Sequence, residues 1–396
     1  MNFRLLLTII LVVFVALQLP AQCISNSEWT QIIPSKTLPT EVERRHANNN
    51  LDLVEFEGRY FVGIRVAPSH FASKKARMYV LSTTDFATWK LEQSINLQTD
   101  VREPRFYQRN DTLFFTYFKL GTNMFKFQPQ GIYQMHYNKN NWSAARELNI
   151  PFGYVPWRVK VHEGLLYMSS YEGINEYKLD IPCPTRIFVS HDAYNWKPIS
   201  EAPQIMHPRA SAEGEFVFVP NGDLWGISRL EFDGSYIVHA KKDSIDKWEK
   251  WWSPHKFDSP LMFIHNGLII LIARRNLDGD GKFYRKEGKY KKNLVRYSLH
   301  KKTTAVYVMD TTNKALLHII DLKSTGDCAF AGVARIDNNT YHLLNYSSNI
   351  NKRKKSWIIG QLGRTYIYHT KLTIGDCNLP DLEPLHVYPF VKSEVH

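Results

Sequence analysis

Four tryptophans, Trp89, Trp142, Trp196 and Trp248, stand 53, 54 and 52 positions apart, and each closes a short polar turn. A unit of that length is one small sheet that cannot bury both of its faces alone. Repetition at this period therefore points to a toroidal array of blades, in which each unit is covered by its neighbours.

The turns before the tryptophans share a theme. Thr83 to Trp89 and Ser190 to Trp196 fit [Ser/Thr]-x-Asp-x-x-x-Trp; Asn138 replaces the acid before Trp142, and Asp243 stands one residue further from Trp248. An Asp or Asn side chain bonds backbone amides just ahead of it, while the indole packs on a strand, so these turns are structural devices.

Six hairpin signals run through the chain, at Glu57-Gly58, Asn110-Asp111, Glu163-Gly164, Asn221-Gly222, Asn266-Gly267 and Asn338-Asn339, each between apolar stretches. Asn-Gly and its relatives in that setting mark two-residue hairpins. Six hairpins predict an all-β, six-bladed β-propeller. A five-bladed propeller is the alternative, because the tryptophan turns also look like those of arabinanase-like and fructosidase-like hydrolases, where Asp52 would be the first inner-strand aspartate.

Residues 1–21 read as a secretory signal, with Arg4 as the charge and Leu5 to Leu17 as the apolar segment, leaving one propeller domain over 22–396. Secreted or periplasmic placement follows, and Cys23 raises the alternative of a lipid anchor. Four scattered cysteines are too few for a disulfide scaffold or a zinc cluster, although one bridge can form. The net charge of +12 sits in short runs, Lys286 to Lys292 and Lys352 to Lys355, expected between strands. Solvated loop charge is favoured over a nucleic-acid surface, and an acidic glycan is the partner that a basic balance and a secretory signal admit together. No membrane span and a monomer are expected.

Residues at matching places in successive blades converge on the propeller axis. Seven positions beyond each hairpin turn stand Arg65, Phe118, Tyr171, Arg229, Arg274 and Tyr346. The preceding strands open on Arg102, Glu103 and Arg105, then Trp157 and Arg158, then Glu213 and Glu215, then Asp258 and Asp327. Charges that open buried strands need a solvated pocket, a partner or a ligand. Several guanidinium forks in one pocket point to an anionic ligand.

The segment Glu213-Gly214-Glu215, turn Asn221 to Leu224, then Arg229 resembles the glutamate-turn-arginine segment of the sialidase superfamily of six-bladed propellers. Asp258-Ser259-Pro260 with Arg274, and Gly326 to Gly332 with Asn345 to Ser348, are similar to late blades of that family. The resemblance implies that Arg229 and Arg274 are two of the family's three carboxylate-binding arginines and that Glu215 or Glu213 partners a nucleophilic tyrosine. Three departures stand out: Asn48-Asn49-Asn50 where the first arginine belongs, Phe330 where the tyrosine belongs, and no Asp or Glu from Ser69 to Thr84, where His70 is the group that titrates near neutrality.

The expectation is a secreted, sialidase-like glycoside hydrolase acting on a sialic-acid-like, uronic or sulfated sugar. Its catalytic candidates are Glu215 as central carboxylate, with Glu213, Tyr346, Asp327, His70 and Glu103. Substrate contacts are expected from Arg65, Arg102, Arg105, Arg158, Arg229, Arg274, Tyr171 and Trp157. Two alternatives stand beside it: a non-catalytic carbohydrate-binding propeller, and a lyase on a uronic-acid glycan with His70, Tyr171 or Tyr346 as base. No cofactor is required. Asn276, Asp278, Asp280 and Glu287 have the spacing of a calcium loop, with Gly281 at its sixth position, and a structural calcium is weighed there against a plain acidic turn.

Overall fold

The computed structural model describes residues 23–375, apart from Asp180 and Arg209, together with 384–385 and 388–389. The expected signal segment and Cys377 lie outside the described residues. Six antiparallel sheets stand around one axis, in chain order. Their inner strands are Ala47–Phe56, Asp100–Arg109, Tyr154–His162, Ser211–Phe218, Asp258–His265 and Ala329–Arg335, each packed against the next and the last against the first. The count decides for the six-bladed propeller over the five-bladed alternative.

Each inner strand returns through a hairpin turn where the sequence places one. At Glu57-Gly58, Glu163-Gly164 and Asn266-Gly267 both turn residues have positive φ, which matches the twist of the flanking strands. In the polar turns, Asp85 accepts from the amides of Ala87 (2.8 Å) and Thr88 (2.7 Å), and Asp192 from those of Tyr194 (2.8 Å) and Asn195 (2.7 Å). The Trp196 indole donates to the Ala193 carbonyl at 3.0 Å.

The sixth blade closes the ring: its strand Thr365–Ile374 pairs with the N-terminal strands Ile24–Asn26 and Thr30–Ile33. Pairing the two ends of the chain in one sheet removes the seam that an open array would leave. The core lies between blades, as where Ile270, Ile272 and Val306 of the fifth meet Leu343 and Leu372 of the sixth. Each such side chain contributes roughly 1.5–3 kcal/mol of burial.

One irregularity is common to all six inner strands. The register breaks near the same end of each, between Asn49 and Leu51, Arg102 and Arg105, Pro156 and Arg158, Ala212 and Gly214, Asp258 and Leu261, and Ala329 and Gly332. Within five of these breaks lies a residue with positive φ: Asn50 (46°), Glu103 (51°), Glu213 (34°), Ser259 (53°) and Phe330 (51°). An extra residue in one strand bends it and re-aims a side chain, and here it does so six times around one axis.

Candidate active site

The bulge residues Asn50, Glu103, Glu213, Ser259 and Phe330 line a cavity of about 720 Å³. It opens on the face made by the loops that follow the second strands. Tyr171, Arg229, Arg274 and Tyr346, near the ends of those strands, complete the wall with Arg102 and His70. Backbone strain at positive φ costs about 1–3 kcal/mol per residue and persists where surrounding packing holds it, so five such residues around one cavity mark a functional place.

One wall is built around Asp327. His70 Nδ1 lies 2.7 Å from its Oδ2, and the Tyr346 hydroxyl donates to its Oδ1 at 2.9 Å. These partners hold the Asp327 carboxyl below its ordinary range against the upward push of burial. An ionised carboxylate only accepts, so His70 presents a proton to it on Nδ1, with the Asn49 side-chain amide nitrogen 3.2 Å from the same atom. Tyr346 is pushed well above 10 by burial and by the Asp327 charge, which makes it a proton donor and not a phenolate. Arg274 Nη2 reaches the same hydroxyl at 3.5 Å and lies against Asp258 and the Cys328 carbonyl.

The other wall crowds carboxyls around one guanidinium. Arg229 meets Glu176 at 2.5 Å, Glu231 at 2.9 Å, Glu213 at 3.1 Å and Asp258 at 3.8 Å. Arg274 also reaches Asp258 at 3.4 Å and Lys256 reaches Glu231 at 3.8 Å, so three cations share four buried carboxyls, and protons remain on part of the set. Burial raises Glu176 to about 8 and pushes Glu213 upward, a push that Arg229 and the Ser259 amide oppose. Glu103 accepts from Asn50 Nδ2 (3.0 Å) and Arg105 Nη2 (2.9 Å), yet burial, with the Glu213 charge adding to it, lifts it to about 7. Around this wall Asn50 Oδ1, Glu176 Oε2, Arg229 Nε, Asp258 Oδ1 and Ser259 Oγ make no hydrogen bond within the protein. Buried polar atoms are nearly always paired, so this cluster points to a polar ligand.

Several expected site residues stand elsewhere. Glu215, expected as the central carboxylate, does not face the cavity: it is fully buried against Arg158 (2.9 Å) and Lys160 (3.1 Å) beyond the bulges. Arg158 also holds Asp52 at 2.6 Å and the Ala331 carbonyl at 3.3 Å, spanning the channel. The Arg105 guanidinium lies 4.5 Å from the Trp157 ring centre, and Trp157 donates to the Pro260 carbonyl, so both fill the axis. Arg65 is fully buried on Asp100 at 2.7 Å, with the Asn49, Ser69 and Phe71 oxygens as further acceptors. The residue that does reach the cavity from this strand opening is Arg102, held by Asp100 and the His70 carbonyl. Glu176, Tyr177 and Trp357 also line it, and none was foreseen, because they lie on connections outside the hairpin period, Trp357 at the start of the helix Trp357–Leu362.

In the proposed calcium loop, Asn276 Oδ1 accepts from Lys302, Asp278 from the Lys301 amide, and Asp280 pairs with Lys282. Glu287 accepts from the Tyr290 hydroxyl. Among the described residues no three His, Cys, Asp or Glu are grouped to hold a metal. Cys23 is disulfide-bonded, so its sulfur is not free to carry a lipid, while Cys183 and Cys328 are buried thiols. No helix among the described residues is long and apolar enough to cross a membrane.

No family model and no curated protein sequence matches the chain. Solved structures do. A protein of unknown function from Dyadobacter fermentans superposes with a TM-score of 0.65 at 12% identity, over 89% of this chain and 99% of that one. Trypanosoma rangeli sialidase in complex with sialic acid gives 0.58 at 11% identity, over 89% of this chain and 59% of the sialidase. The phage phi92 endosialidase gives 0.58 at 10%, over 89% and 70%. This is a sialidase-like propeller. At these identities the likeness establishes the fold, and the chain spans well under two thirds of the trypanosome enzyme. The function has to be argued from the site.

Proposed function

We propose that the protein is a secreted glycoside hydrolase that takes an anionic sugar into the propeller cavity. The observation that carries this reading is Glu103, a carboxyl at about 7, facing the same cavity as Glu213. Below that pH Glu103 keeps its proton and delivers it to the leaving oxygen as the glycosidic bond breaks. Glu213, bound to Arg229 and to the Ser259 amide at 2.6 Å, is the carboxylate that faces the developing positive charge. His70, oriented by Asp327, supplies the base for water. Five lysines and arginines line the cavity against three glutamates, two of them raised to about 7 or 8, and this balance favours an anionic substrate. A disulfide at Cys23 fits an oxidising compartment, either outside the cell or in the periplasm.

Digestion of a panel of uronic, sulfated and sialylated oligosaccharides, followed by mass spectrometry, tests the reading. The expected result is cleavage with addition of water, lost in Glu103→Gln. Tight calorimetric binding without cleavage of any panel member would replace the hydrolase with a binding propeller.

The grouping of His70, Asp327, Tyr346 and Arg274 favours a second reading, elimination on a uronic-acid glycan. His70 would take the proton beside a carboxylate neutralised by Arg274, and Tyr346 would protonate the departing oxygen. Elimination leaves an unsaturated sugar, so a rise in near-ultraviolet absorbance during digestion separates it from hydrolysis.

A further inference from the structure

Large apolar side chains exposed on this protein gather on the cavity face. Among the described residues, Phe125 is 89% exposed, Leu362 71% and Val295 60%, and all three lie on loops or helices that follow a second strand. The helices Tyr290–Leu299 and Trp357–Leu362 pack against each other over the fifth and sixth blades, joined where the Trp357 amide donates to the His300 carbonyl at 3.1 Å. Val295 and Leu299, one turn apart, and Ile359 and Leu362 on the second helix all point to solvent.

Charge surrounds these residues. The segment 277–301 holds eight Lys or Arg against three Asp or Glu, and 349–364 holds five against none. Lys291, Lys292, Arg296, Lys352 and Arg353 are exposed beside the aliphatic tips. Across the cavity mouth, Phe125 and Met124 stand next to Lys126. A soluble polyanion would use the lysines but gains nothing from bare Val, Leu and Ile. An anionic bilayer uses both, since aliphatic tips enter the acyl boundary while each nearby Lys or Arg is attracted to the headgroups. Exposed apolar groups rimmed by charge mark an interaction surface and not a solvated face.

We propose that this helix pair docks the protein on an anionic lipid surface. Trp357 and Gln361 of the second helix line the cavity, so docking sets the cavity mouth at the membrane plane. The proposal does not depend on which reaction the cavity performs.

Vesicle flotation tests it, using the full secreted chain with phosphatidylcholine vesicles, with and without phosphatidylglycerol. The expected result is binding to the anionic vesicles alone, reduced about tenfold or more in Val295→Asp/Leu362→Asp and in Lys291→Glu/Lys292→Glu. Circular dichroism and thermal melting confirm that these surface variants fold. No binding to anionic vesicles overturns the proposal. So does binding that survives Val295→Asp/Leu362→Asp, which would make the patch a polyanion site. Concentration-dependent dimerisation abolished by Leu362→Asp, seen by sedimentation velocity, would assign the patch to a second copy and also overturn it.

Discussion

Beyond the bulges, Arg158 reaches from the third blade to Asp52 in the first and to Glu215 in the fourth, at 2.6 and 2.9 Å. On the cavity side, Arg229 stands among Glu176, Glu213, Glu231 and Asp258. Both clusters are buried, and both draw on inner strands. In the first, two cations and two carboxylates bind one another and close the channel. In the second, four carboxyls share Arg229, Arg274 and Lys256, burial keeps protons on part of the set, and the cluster borders an open cavity. Charge on an inner strand therefore does not by itself identify a site. Which side of the bulge it occupies, and whether its neighbours balance it, does.

Breaking the channel cluster has the largest expected effect. Glu215→Ala leaves Arg158 and Lys160 short of a buried counter-charge and lowers stability by about 3–5 kcal/mol, read by denaturant unfolding. If Glu215 instead served the reaction, the variant would unfold normally and lose activity only. In the cavity the balance reverses: Asp327→Asn releases His70 from its fixed tautomer and lowers turnover about 10²-fold, with a melting temperature close to that of the wild type.

The contrast also extends to pH. Glu103 binds its proton more tightly in the folded chain than in the unfolded one, so its contribution to stability is complete below about 4.5 and declines as pH rises toward 7. Activity that needs the protonated acid falls over the same upper limit, roughly tenfold per unit above about 7. Glu103→Gln removes its share of the stability decline and leaves that of Glu176, which parallel melts at several pH values would show. The smallest effect belongs to the outer turns: Ser190 Oγ accepts from the Ala193 amide at 3.0 Å, and Ser190→Ala costs about 1 kcal/mol without touching turnover.

The propeller was legible because its signals are local. The turns at Glu57-Gly58 or Asn266-Gly267 need positive φ, and Asp85 and Asp192 need backbone amides just ahead of them, whatever the rest of the chain does. The count of seven beyond each turn brought Tyr171, Arg229, Arg274 and Tyr346 to the cavity. It misled at Arg65, because Asp100 on the neighbouring blade takes that guanidinium, and no spacing within one repeat reveals a partner in the next. Glu213 and Glu215 differ by two positions and read alike in sequence. The bulge between Ala212 and Gly214 sends the first to the cavity, while the second goes to the ion pairs beyond it. Glu176 was invisible, since its loop carries no period at all.

The cavity stores protons on its carboxyl groups. Carbon-detected NMR titration of glutamate side-chain carboxyls, in the wild type and in Glu103→Gln, measures this directly. A resonance with a midpoint near 7 that disappears in the variant is the predicted result. A wild-type protein in which every glutamate has ionised by pH 5 would contradict it.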